Sequence, residues 1–268
     1  MSAQKEKAYR YDLFITPQWR DRFDMLINEN IPLPSEGRLL DVNCGTGSHA
    51  IEIAERMKQG EVRGVDPDPE RIALAQAKAM VRKVKNIFFE EGIATSLRFG
   101  DGEFDAVICD ASTMAAEEIE SMFEEMIRVT GTGGRTILKL TTHGSFDEFF
   151  SIYWEALLQA QLIDETWSKL EKLINERVTI SDAEEMASRL GLARVESFSS
   201  KEEFLYDTGS EFIQSPLIAD IFLEGWLNLV PLSRREEVSR RIVSLIEEER
   251  HHAPFDISIK ATVITGLK

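Results

Sequence analysis

The stretch Arg38 to Ala50 reads Arg-Leu-Leu-Asp-Val-Asn-Cys-Gly-Thr-Gly-Ser-His-Ala, and no other stretch constrains the fold as tightly. Leu39 and Leu40 belong to the end of a buried strand, with Asp41 at its C-terminal end. Gly45 and Gly47 allow a tight turn, because a residue without Cβ lets other atoms approach the backbone. Ala50, Ile51, Ile53, Ala54 and Met57 then form the apolar face of a helix that Gly60 can stop. Strand, glycine turn and helix in this order make a nucleotide-cofactor entry in an open α/β sheet.

The pattern repeats downstream. Residues 61–66 read as a second strand ending in an acid, and Asp68-Pro69 caps the helix after it. Residues 87–89 form a third short strand. Residues 104–109 form a fourth, almost wholly apolar and so buried on both faces, again ending in an acid, Asp110. Gly131, Gly133 and Gly134 turn into a fifth strand over 136–140. Strands alternating with helices at this spacing predict a doubly wound, mostly parallel sheet. Residues 193–198 and the alternating run 257–264 are two late strands separated by helical material, an antiparallel addition at the sheet edge.

Around this core the expected organisation is an N-terminal helical segment, 1–35, and a cofactor-binding domain, 36–268. In the segment, residues 1–12 read as polar and loose at the start, and Thr16-Pro17 as a helix start. Two helical insertions, about 145–180 and 200–252, interrupt the domain. Ser145 with Glu148, and Ser181 with Glu184, read as capping boxes there.

Composition narrows the function. A net charge of −16 opposes binding to phosphate backbones, so nucleic acid is not an expected partner. Two cysteines, Cys44 and Cys109, suggest neither a disulfide framework nor a zinc cluster, and no metal site is expected. No signal peptide or membrane-crossing run is visible, which predicts a soluble cytoplasmic chain with no membrane partner. A homodimer is left open.

Asp41, Asp66 and Asp110 therefore stand at three strand ends, and in a parallel sheet those ends share the ligand-binding edge. Asp66 follows Asp41 by 25 residues, at the neighbouring strand's end, where a carboxylate can accept both ribose hydroxyls.

These runs together resemble the class I S-adenosylmethionine-dependent methyltransferases. Leu-Leu-Asp-Val-Asn-Cys-Gly-Thr-Gly, then Gly-Val-Asp-Pro-Asp-Pro-Glu, Phe-Gly-Asp-Gly-Glu-Phe-Asp-Ala-Val-Ile-Cys-Asp and Arg128-Val-Thr-Gly-Thr-Gly-Gly carry the resemblance, over residues 36–142. It implies a Rossmann-like methyltransferase fold of seven strands with a reversed last strand, and S-adenosylmethionine as cofactor. By the same resemblance Asp41, Asn43, Cys44, Gly45 and Gly47 border the methionine portion and ribose. Asp66 holds the ribose, Pro67 lies against the adenine, Ile93 and Ala94 flank it, and Asp110 and Ala111 lie below the sulfonium. Asn43 replaces a glycine common in the family, and Ile93 an acid for the adenine amine.

A small-molecule methyl acceptor is the expected partner. The insertions, rich in aromatics such as Trp154, Trp167 and Trp226, read as an apolar lid that excludes water. His143, just after the fifth strand, is the candidate catalytic base for a hydroxyl acceptor. Two rivals compete. Gly45-Thr-Gly-Ser-His-Ala50 also matches the dinucleotide fingerprint of NAD(P)-dependent oxidoreductases, though an acid at Asp41 suits an amino-acid-bearing cofactor better than a pyrophosphate. The other rival is a non-catalytic binding or scaffold protein on the same fold.

Overall fold

Valine, isoleucine and leucine concentrate in short runs bounded by glycines and acids, and these runs form the sheet. The structure, a computed structural model, describes residues 2–249 and 253–268. Met1 and residues 250–252 of the second insertion lie outside the described residues.

The chain opens with helix α1 (Ala3–Arg10), a π-helical stretch (Tyr11–Arg20) and helix α2 (Asp21–Asn30). The α/β core follows as β1 (Glu36–Val42), α3 (Ser48–Arg56), β2 (Gln59–Asp66), α4 (Pro69–Arg82), β3 (Ile87–Glu91), β4 (Phe104–Asp110), α5 (Ala116–Val129) and β5 (Thr130–Thr142). Then come α6 (Asp147–Gln159), α7 (Ile163–Asn175), α8 (Ile180–Arg189) and β6 (Ala193–Tyr206). The last stretch holds α9 (Gly209–Gln214), a short π turn (Ile218–Phe222), α10 (Leu223–Leu227), a single 3-10 turn (Leu232–Arg234), α11 (Arg235–Glu249) and β7 (Phe255–Leu267).

The strands make one seven-stranded sheet in the order β3-β2-β1-β4-β5-β7-β6. β1 to β5 pair in parallel, and β7 and β6 complete the sheet in antiparallel sense. The strand order reverses between β1 and β4, whose register pairs Asp41 with Ile108 and Val42 with Cys109. That reversal is where ligands enter open α/β sheets. The fold is the expected Rossmann-like methyltransferase fold.

The chain divides into two compact units. The first comprises Met1–Thr141, Thr179–Ser200 and Ala261–Lys268, and the second Thr142–Val178 and Lys201–Lys260. The second unit is built on aromatic rings. The rings of Phe149 and Trp226 stack 4.1 Å apart, and Phe222 stacks on Trp226 at 5.3 Å. Phe146, Phe150, Tyr153 and Phe212 are buried around them, with the Tyr153 hydroxyl donating to the Trp226 carbonyl at 2.7 Å.

Several local expectations give way to tertiary demands. Residues 3–10 are helical rather than loose, because the Ser2 hydroxyl accepts from the Lys5 N–H and starts α1 there. Pro17 does not begin a helix but lies inside the π-helical stretch. Gly60 is in β2 and does not stop α3, which ends with Met57 as its C-cap. Ser145 and Glu148 do not box α6. Ser145 Oγ accepts from the Lys260 N–H, and the Glu148 carboxylate takes the Ser258 N–H and hydroxyl, so both serve β7. The capping box of α8 is Thr179 with Asp182, two residues earlier than Ser181 with Glu184.

Candidate functional site

The loop after β1 is shaped by its backbone conformation and by ties to the neighbouring strands. Asn43, Gly45 and Gly47 all have positive φ, at 54°, 59° and 74°. A Cβ on Gly47 would lie 2.6 Å from the Phe89 ring and 2.9 Å from the Ala75 methyl, so only glycine fits there. Asparagine tolerates this backbone region better than most residues. Asn43 also uses its amide, which donates to the Asp110 carbonyl at 3.0 Å and ties the loop to the end of β4. The Cys44 N–H donates to the Val65 carbonyl at 2.9 Å, which ties it to β2.

Asp66 closes the other side. Its Oδ2 accepts from the Gly45 N–H at 2.8 Å, and its Oδ1 from the Asp68 N–H at 3.0 Å. Asp41, Asn43, Cys44, Gly45, Asp66 and Asp110 thus converge on one loop at the strand-order reversal. Ala94 and Ala111 are buried, whereas Ile93 is 61% exposed and its carbonyl accepts from the Ser96 N–H. Pro67 lines an open groove of about 550 Å³ with Gln4, Asp68, Pro69, Glu70 and Arg71. His143 belongs to the second unit, is exposed, and donates its backbone N–H to the Val178 carbonyl at 3.0 Å.

Charges missed in the sequence complete the site. Arg20, from the π-helical stretch, donates to the Asn43 carbonyl at 2.9 Å and to the Tyr11 hydroxyl at 3.0 Å. Its Nη1 lies 3.2 Å from Asp110 Oδ2, as a charge contact. The Trp19 indole N–H donates at 2.8 Å to the Ser112 hydroxyl, which in turn donates to Asp110 Oδ1. Deeper, Lys139 of β5 is fully buried and pairs with Asp24 of α2, and His49 Nδ1 lies 3.1 Å from the same carboxylate oxygen. Burial alone would raise Asp24, but His49, Lys139 and Arg20 more than reverse this and hold it below the ordinary aspartate value. Burial pushes His49 down to about 4, so the imidazole is neutral at pH 7. The signal for this network was available. A lysine between Leu138 and Leu140, and an aspartate beside Phe23, mark buried charges that need partners.

Asp41 is the exception to this pairing. It is fully buried, and neither carboxylate oxygen has a hydrogen-bond partner. Burial raises its pKa to about 6, against the attraction of Lys139 and Arg20. An unpaired buried carboxylate is costly, and at a glycine-loop site it suits a cationic ligand group. The α-ammonium of S-adenosylmethionine is such a group. Both buried thiols, Cys44 and Cys109, are pushed well above the usual cysteine range by burial and hence are poor nucleophiles.

Comparison with known proteins agrees. A methyltransferase-domain family model matches residues 39–134. The chain is similar to demethylmenaquinone methyltransferase of Thermus thermophilus, at 32% identity over 163 residues, 57% of this chain and 72% of that protein. It is 38% identical over 127 residues to the enzyme of that name in Deinococcus radiodurans, covering 46% of this chain. The chain spans about half the length of that second relative, 52%. In fold it resembles the Bacillus subtilis protein YcgJ, with a TM-score of 0.60, 22% identity, and coverage of 92% and 98% of the two chains. It also resembles phosphoethanolamine N-methyltransferase 2 of Haemonchus contortus, solved with phosphomonomethylethanolamine and S-adenosylhomocysteine. That TM-score is 0.59 at 17% identity, covering 98% of this chain and 58% of that one. The chain belongs to the class I S-adenosylmethionine-dependent methyltransferases. Among the described residues, no helix is long and apolar enough to cross a membrane.

Proposed function

We propose that this protein transfers the methyl group of S-adenosylmethionine to a small-molecule acceptor. The observation that carries the reading is the unpartnered, fully buried carboxylate of Asp41 beside the positive-φ loop. In this reading Asp41 receives the cofactor's ammonium and Asp66 the ribose hydroxyls through the lone pairs left by its two backbone bonds. Pro67, Ile93 and Ala94 face the adenine, while Cys44, Gly45, Gly47, Asp110 and Ala111 border the methionine portion and sulfonium. When bound, the cofactor supplies an electrophilic methyl group. What remains for the chain is to align the acceptor lone pair and exclude water.

Acceptor selection is assigned to the second unit, with its helical insertions. Its buried rings pack on one another, so Trp154 and Trp167, which are partly exposed, are the aromatics left to meet an acceptor. A small apolar or aromatic acceptor fits such side chains, and demethylmenaquinone is the compound named for the Thermus and Deinococcus relatives. His143 is proposed as the base that takes a proton from a hydroxyl acceptor, its exposure leaving it free to exchange that proton with solvent. The acidity of the chain supports a small acceptor over nucleic acid, and a cytoplasmic location belongs to the same reading.

Titration calorimetry with S-adenosylmethionine and, separately, NAD tests the cofactor. Binding of the first alone is expected. Affinity should fall as pH drops through about 6, because a protonated Asp41 no longer attracts the ammonium. Binding of NAD alone would overturn the reading. His143→Ala should lower turnover while leaving cofactor affinity unchanged, and unchanged turnover removes the histidine from the mechanism.

A further inference from the structure

The residues that would hold the cofactor's methionine portion and ribose are sealed from solvent in this structure, whereas Pro67 and Ile93 on the adenine side are exposed. Asp41, Cys44, Asp66, Asp110 and Ala111 are each no more than 5% exposed. Part of the seal is the chain's own N-terminal segment. A Cβ built on Gly45 would lie 3.0 Å from a Tyr11 ring carbon, so the ring rests directly on the glycine loop. The Arg71 guanidinium also lies over that ring, 3.9 Å from its centroid. The next residue, Asp12, accepts from the Thr46 hydroxyl and from Lys78 Nζ, both at 2.5 Å. Arg71 against Tyr11, and Thr46 and Lys78 on Asp12, therefore hold this segment against the loop.

The two ends of the segment differ in how firmly they are held. After Pro17, Trp19, Arg20 and Asp24 are buried and bonded to Ser112, Asn43, Asp110 and Lys139. Before it, Ala8, Tyr11 and Ile15 are buried too, but the charged tie is not: about a fifth of each side chain of the Asp12–Lys78 pair is accessible. Asp12 and Arg20 both belong to the π-helical stretch Tyr11–Arg20, which contains Pro17, a residue with no N–H to give to a helix. Such irregular helix is a natural place to bend.

Building on the S-adenosylmethionine reading, we propose that residues 3–16 form a gate over the cofactor site, hinged at Pro17, plugged by Tyr11 and latched by Asp12. Arg20 lies beyond the hinge and stays on the loop. Its place over the Asn43 carbonyl, beside Gly45, suits it to receive the cofactor's carboxylate once the Tyr11 hydroxyl leaves it. A ligand opens a gate only through contacts the closed form cannot make. The ammonium on Asp41 and the carboxylate on Arg20 are two such contacts.

The test follows S-adenosylhomocysteine association by stopped flow, with hydrogen exchange of residues 3–16 read by mass spectrometry. In the wild-type protein the observed association rate should level off at high ligand concentration, at the rate of gate opening. Asp12→Ala should raise that plateau at least about fivefold, and residues 3–16 should exchange faster in the free variant. Tyr11→Phe, which keeps the ring and removes only the hydroxyl, should leave the plateau within about twofold. An association rate that stays linear in ligand and is the same in Asp12→Ala overturns the gate while leaving the cofactor reading intact. If S-adenosylhomocysteine does not bind at all, the cofactor reading fails and the gate falls with it.

Discussion

The first unit fills the ends of its central strands with charge, and the second fills its centre with rings. Around β1, β4 and β5 lie Arg20, Asp24, His49, Lys139, Asp41 and Asp110, all buried. In the second unit Phe149, Trp226, Phe222 and Phe146 stack or tilt against one another within about 4–5.5 Å. Rings are held by contact area and shape, which are forgiving of modest change. Buried charges are held by specific partners, and each becomes a liability when its partner is removed. The difference suggests that the ring cluster exists to be a stable body and the charged cluster to bind something.

Breaking one member of each core should give the largest effects, and the repair should differ. Phe149→Ala and Lys139→Met should each cost about 3–5 kcal/mol in urea unfolding, the first through a cavity and the second through a stranded Asp24 carboxylate. Adding Asp24→Leu to Lys139→Met should restore much of the loss, since two apolar groups replace an ion pair. The contrast between the cores collapses if the double variant is as unstable as the two single losses combined.

A titration sharpens the same point. Asp41 has its folded pKa raised from 3.8 to about 6, so its protonated form favours folding below pH 4 and that contribution is lost as pH rises to 6. His49 runs the other way. Its folded pKa falls from 6.5 to about 4, so it costs stability progressively as pH drops through that window. The two slopes oppose each other between about pH 4 and 6. Asp41→Asn should therefore gain stability relative to wild type as pH rises from 4 to 7, by about 3 kcal/mol for a two-unit shift. At the same time it should lose affinity for S-adenosylmethionine. A variant with no pH-dependent difference from wild type would mean that Asp41 has a partner in solution.

Smaller effects belong to the rim. Asp66→Asn should weaken S-adenosylmethionine binding at least about tenfold, consistent with losing charge-assisted bonds of about 1.5–3 kcal/mol. Calorimetry that shows equal affinity removes Asp66 from the ribose. Ile93→Asp should change stability by less than about 0.5 kcal/mol, because the side chain is mostly exposed. Cofactor affinity should stay equal or rise if the carboxylate reaches the adenine amine. A large fall would instead show that an apolar ring contact is needed there.

The parallel core was legible because its strands end at or beside an acid or a glycine turn, and because α4 begins with a readable cap at Asp68 and Pro69. What escaped was whatever depended on distant partners. Ser145 and Glu148 look like a cap locally, yet β7 takes both. Pro17 looks like a helix start, yet the preceding turns continue through it in a wider spiral. Arg20 lies 16 residues before β1 begins, and no local rule connects it to Asn43 and Asp110. The acids of the site were readable by position, and the cations that surround them were not.

The placement of Cys44 has a practical consequence. It is one of only two thiols in the chain and sits inside the glycine loop at 2% exposure. A thiol so placed reacts with a soluble disulfide reagent only during moments when the loop is uncovered. Its modification rate is therefore a clock already built into the native sequence. It counts openings of the loop directly, without a label, a substitution or a known methyl acceptor.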